Sequence, residues 1–109
     1  LSVVDLADVF KALGDPNRLA IFELIRRRCG PNCVPTEDPA TTVSRLADEF
    51  ELALSTVSHH LKELRRADLI RCEKRGQQVF CSVNQEALAA MERFAGLAVI
   101  DSRDEGDAA

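Results

Sequence analysis

Apolar residues recur every three or four positions at Val3, Leu6, Ala7, Phe10 and Leu13, which predicts an amphipathic first helix over residues 3–13, stopped near Gly14. Asp15-Pro16 then sets a capping side chain before a proline whose missing N–H is harmless in a first helical turn. A second helix is predicted from Pro16 to Cys29, with Leu19, Phe22 and Ile25 as its buried stripe. Arg26, Arg27 and Arg28 suit its carbonyl end, and Gly30-Pro31 supplies a left-handed cap and a breaker. Residues 30–41 hold Pro31, Pro35 and Pro39 without periodicity, a long connection for a small domain.

Beyond a short strand candidate at Thr41-Val43, the positions Val43, Leu46, Ala47 and Phe50 mark a short third helix, with Leu52 in the turn that follows. Ser55 is the expected N-cap of a fourth helix ending at Asp68, whose apolar positions are Val57, Leu61 and Leu64. Residues 69–83 alternate around Gly76, the mark of a β-hairpin with a polar tip. Asn84 caps a last helix with Leu88, Met91, Ala95 and Ala98 on one side. One domain is expected over residues 1–100, and 101–109 reads as an acidic, disordered tail. The fold class is mainly α with a small β-hairpin, an α+β arrangement.

Charge sharpens this picture. The net charge of −4 argues against a nucleic-acid partner, yet residues 55–78 carry six Lys or Arg against three Asp or Glu, while the segments on either side are acidic. A basic patch on an acidic body results, and it coincides with the fourth helix and the hairpin. Two short helices joined by a tight turn, with Ser-Thr-Val-Ser-His-His opening the second and a basic hairpin following, describe a helix-turn-helix with a wing. Short polar groups at the start of such a helix reach base edges or phosphates, and Lys62, Arg65 and Arg66 serve the backbone. A tip of Lys74-Arg75-Gly76-Gln77 suits an adjacent phosphate or the minor groove.

The stretches FKALGDPNRLAIFELI, VSRLADEF, STVSHHLKELRRADLI and RCEKRGQQVFCSV together resemble the ArsR/SmtB family of repressors over nearly all of the ordered chain. The resemblance implies a sequence-specific DNA-binding repressor, a homodimer built from the first and last helices, and release of double-stranded operator DNA on binding an inducer. By position it assigns Ser55, Thr56, Ser58, His59 and Lys62 to the DNA, with Lys74, Arg75 and Gln77 on the wing; His60 also matches but is expected to be partly structural. Asp68 stands where the family usually has glycine, a small cost if the backbone there is left-handed.

Metal-sensing members often carry a Cys-x-Cys pair in the third helix, or His and acidic ligands along the last; neither pattern is present. What remains is Cys29 at the end of helix two with Cys33 in the long loop, and Cys72 and Cys81 on the wing. Thiolates suit As(III), Zn(II), Cu(I) or another thiophilic ion, and a close pair also suits redox sensing. Cys29 and Cys33 are therefore the leading candidate pair. Cys72 and Cys81 share a face with Ile70, Val79 and Val83 and are read first as small packing residues, second as a metal or redox site. A Gly76-Gln77 turn would set them directly opposite, an Arg75-Gly76 turn diagonally.

A protein-interaction winged helix with structural zinc is the alternative from another class. An enzyme is not expected, because no nucleotide loop, catalytic triad or paired carboxylate is present, and DNA binding itself calls for no cofactor. No apolar run approaches the roughly 20 residues of a membrane span, no secretory signal is recognised, and four cysteines fit a reducing compartment, so the chain is expected in the cytoplasm with no membrane partner.

Overall fold

The computed structural model describes residues 4–28 and 41–96. Among them the chain runs α1 (Leu6–Leu13), α2 (Pro16–Arg28), α3 (Val43–Phe50), α4 (Leu54–Arg66), β1 (Ile70–Arg75), β2 (Gln78–Val83) and α5 (Gln85–Ala95). Helical segments and one hairpin fall where periodicity placed them, and the starts of α1, α2, α3 and α5 follow side-chain caps. Cys29, Cys33, Gly30, Pro31, Ala98 and the acidic tail lie outside the described residues.

α1 starts at Leu6, later than its apolar periodicity suggests, because Asp5 is extended and its carboxylate accepts from the Ala7 and Asp8 amides at 2.9 and 3.4 Å. Asp15 does the same for α2, accepting from the Asn17 and Arg18 amides at 2.8 and 3.1 Å, with Pro16 as the first helical residue. Arg18 reaches back to donate from Nε to the Ala12 carbonyl at 2.6 Å, satisfying a group that the end of α1 leaves without a helical partner.

Two apolar stripes are corrected. In α1 the buried residues are Val9 and Ala12, while Phe10 is 43% exposed. In α2 Ile21, Phe22, Leu24 and Ile25 are buried and Leu19 is 45% exposed. At about 100° per residue, Leu19 points roughly 140° away from the centre of that buried face.

The expected strand at Thr41-Val43 reduces to a single bridge between Thr42 and Phe80. Thr42 is instead the N-cap of α3, its hydroxyl accepting from the Arg45 amide at 3.3 Å, so the helix begins at Val43. α3 ends with Glu51 in the left-handed region, and the Leu52 amide returns to the Ala47 carbonyl at 3.0 Å. That sharp exit starts α4 earlier than Ser55: Ala53 is the extended N-cap residue and its carbonyl accepts from the Val57 amide at 3.0 Å.

α4 closes at Arg66, two residues before Asp68, in a Schellman motif. Asp68 has φ 62°, its amide donates to the Arg65 carbonyl at 2.9 Å, and the Leu69 amide donates to the Leu64 carbonyl at 3.0 Å. The apolar contact that usually accompanies this motif is supplied by Leu64 and Leu69, both without exposure. The position where glycine is usual thus does adopt the conformation glycine favours.

The hairpin takes one of the two registers left open by the sequence. Arg75 pairs with Gln78 across Gly76-Gln77, and Cys72 stands directly opposite Cys81. Only the first turn residue, Gly76, has positive φ, at 61°, which is the II′ pattern. A Cβ on Gly76 would meet nothing within 4 Å, so glycine serves the backbone angle there and not the space. β2 packs on α2 and α3, and β1 on α4, so the core of Val9, Ile21, Ile25, Leu46, Leu64 and Leu69 ties the hairpin to the helices. Asn84 caps α5, and Gly96, at φ 77°, ends it. Ala95, expected on the apolar side of α5, is exposed, whereas Leu88 and Met91 pack partly against the core. No described helix is long and apolar enough to cross a membrane.

Candidate nucleic-acid interface

α3, the turn at residues 51–53 and α4 form a helix-turn-helix, and the side chains of α4 divide cleanly between two faces. Val57, His60, Leu61 and Leu64 are buried. Ser55, Ser58, His59, Lys62 and Arg66 are exposed, and at about 100° per residue they fall within a stripe roughly 100° wide, opposite the buried one. Thr56 sits at the border of that stripe and is half-buried. His60 is buried, as its structural reading anticipated, but its Nδ1 has no hydrogen-bond partner.

The hairpin tip adds Lys74, Arg75 and Gln77, all exposed. Arg75 meets Glu73 at 3.3 Å and Arg66 meets Glu63 at 3.4 Å, open ion pairs that are easily exchanged for phosphate. Lys62 and Lys74 make no ion pair among the described residues. The structure therefore presents Ser55, Ser58, His59 and Lys62 together on α4, with Lys74, Arg75 and Gln77 outward on a hairpin fixed to the same core. The Thr42–Phe80 bridge joins that hairpin to the start of α3. Such an arrangement lets one helix enter a major groove while a wing reaches a flanking backbone.

A model of the helix-turn-helix domain family matches residues 13–73. The arsenical resistance operon repressor of Staphylococcus xylosus is 30% identical over 106 residues, covering 97% of this chain and 89% of that protein. A crystal structure of an ArsR family transcriptional regulator superposes with a TM-score of 0.64 at 31% identity, covering 93% of this chain and 91% of that one. The chain belongs to the ArsR family of winged helix-turn-helix repressors. It is a DNA-binding transcriptional regulator and not an enzyme. The solution structure of a homodimeric winged helix-turn-helix DNA-binding domain from Mycobacterium bovis shares the fold of this ArsR-family repressor, with a TM-score of 0.62 at 24% identity over 89% of this chain and 79% of that one.

The cysteines of the repressor's wing are brought closer than sequence reasoning could say. Cys81 is fully buried, Cys72 is half-buried, and their sulfurs lie 3.6 Å apart. The hydrogen bond shared with Cys81 holds the Cys72 thiol below its ordinary range, against the opposing effect of burial; Arg65 on α4 adds to the lowering. Cys81 is pushed up, first by sharing that bond with Cys72 and then by burial. The proximity of Arg65 was not legible in the sequence, because it depends on how β1 crosses α4. Among the described residues no group of three or more His, Cys, Asp or Glu is placed to hold a metal ion.

Proposed function

We propose that this repressor binds operator DNA as a homodimer, with α4 of each subunit in a major groove, and that a thiophilic inducer releases it. The observation that carries the reading is the exposed stripe of Ser55, Ser58, His59 and Lys62 set opposite a fully packed face of the same helix. Thr56 borders the bases, Lys62 and Arg66 neutralise phosphates, and the wing residues Lys74, Arg75 and Gln77 extend the footprint. The protein acts in the cytoplasm, as one domain over residues 1–100 followed by an acidic tail.

Dimerisation through α1 and α5 is supported by two aromatic rings on those helices. Phe10 and Phe94 are 43% and 68% exposed, and their ring centroids lie 5.3 Å apart. A second copy laid across them removes that aromatic surface from water. The homodimeric state of the M. bovis neighbour points the same way.

The inducer is proposed as As(III) or another thiophilic ion, because the S. xylosus relative is an arsenical resistance operon repressor. Its proposed ligands are Cys29 and Cys33, in the sequence between α2 and α3 and outside the described residues. Release requires the ion to favour one dimer conformation over the other, since equal affinity for both shifts nothing. Fluorescence anisotropy with promoter duplexes at several salt concentrations tests the DNA reading. Affinity should fall steeply as salt rises, and a protein that ignores every operator-like duplex would refute the proposal. The C29S/C33S variant should bind DNA as the parent does and no longer respond to arsenite; an unchanged response removes that site.

A further inference from the structure

We propose that Cys72 and Cys81 are an oxidisable dithiol that closes a disulfide across the base of the wing when the protein meets a hydroperoxide. This stands apart from the DNA and inducer readings above, since it concerns only the chemistry of the hairpin. The two-residue turn makes Arg75 and Gln78 a hydrogen-bonded pair. Alternation along an unbulged antiparallel ladder then makes Cys72 and Cys81 a non-hydrogen-bonded pair, the kind whose Cα atoms lie only about 4.5 Å apart. That spacing lies within the roughly 4.4–6.8 Å range that disulfides span, so the bond can form without moving the strands.

The two sulfurs are not equivalent. Cys72 is the more exposed of the two and has Arg65 near it, which favours its thiolate; Cys81 is wholly buried, which favours its protonated form. Cys72 therefore attacks. Its sulfur takes one peroxide oxygen as the O–O bond breaks, leaving a sulfenic acid and, when the peroxide is hydrogen peroxide, one water. Cys81 sulfur then attacks the Cys72 sulfur, the S–O bond breaks, and the departing hydroxyl leaves with the Cys81 proton as a second water. Two electrons have passed from the thiol pair to the peroxide, and with hydrogen peroxide both oxygens leave as water. A chelated metal ion is the weaker reading of the same pair, because no third ligand accompanies it among the described residues.

The test uses the full chain with C29S/C33S, alongside the parent protein, treated with hydrogen peroxide, quenched by alkylation and mapped by peptide mass. The expected product has lost two hydrogens, carries an intramolecular Cys72–Cys81 link and reverts with dithiothreitol. Adding C81S should stop the reaction at a Cys72 sulfenic acid that dimedone traps, whereas adding C72S should leave Cys81 unmodified. Two freely alkylated thiols after treatment, a link between subunits, or equal dimedone trapping in the two single variants would each overturn the proposal.

Discussion

Asn84 joins three elements, and replacing it should destabilise the domain by an amount its bonds allow us to work out. It is 4% exposed. Its Oδ1 accepts from the Glu86 amide at 3.2 Å, capping α5, and its Nδ2 donates to the Asp68 carbonyl at 2.8 Å, holding the left-handed exit of α4. Asn84→Ala removes the cap, worth about 1 kcal/mol, and a second bond worth about 1 kcal/mol whose carbonyl partner is left in a part-buried place. The total is about 2 kcal/mol, which in a domain of this size lowers Tm by roughly 8–16 °C. Asn84→Asp keeps the acceptor for the Glu86 amide but has no donor for Asp68, so it should lose about half as much. Thermal and urea melts followed by circular dichroism, at one fixed protein concentration because the proposed dimerisation would contribute to stability, give both numbers. An alanine variant within about 0.5 kcal/mol of the parent, or an aspartate variant as stable as asparagine, would show that the two bonds do not act as described.

Other outcomes follow from the same structure. Asp68→Gly should stabilise by less than about 1 kcal/mol, because relief of the left-handed backbone is partly offset by a freer unfolded chain, while Asp68→Val should cost about 2 kcal/mol; urea melts distinguish the two signs. Lys74→Ala should leave the fold intact and reduce the slope of log affinity against log salt by about 1.8 per dimer, near 0.9 for each lost phosphate contact, with little change in preference among duplexes. Asp15 accepts the Arg18 amide, which holds its carboxyl below the usual value of 3.8. A depressed carboxylate stabilises above its unfolded pKa and loses that effect as pH falls through the folded one. Stability of the parent should therefore decline below pH 3.8 by more than that of Asp15→Asn, which keeps a neutral acceptor at the same cap; parallel acid titrations of the two check it.

Chain-local chemistry settled much of this protein before any tertiary contact was considered. Asp15-Pro16 and Asn84 announce helix starts because a cap is a hydrogen bond to an amide two or three residues away. Alternation about Gly76 announces the hairpin because side chains of a strand point to opposite faces in turn. The polar Ser-Thr-Val-Ser-His-His opening of a helix and the basic tip of the hairpin were likewise readable, since composition and spacing carry that signal.

Other features were decided between residues far apart in the chain. Apolar spacing cannot say which side of α1 or α2 meets the core, and Phe10 and Leu19 face outward because the neighbouring elements cover the opposite sides of their helices. Ser55 has the chemistry of a cap, yet the left-handed exit at Glu51 sets where the next helix begins. Both hairpin registers were consistent with the sequence; packing of the strands on α2, α3 and α4 accompanies the one that faces Cys72 with Cys81 and brings Arg65 beside them. Helix starts are local hydrogen-bonding problems, whereas buried faces, strand register and paired thiols depend on what the rest of the chain leaves exposed.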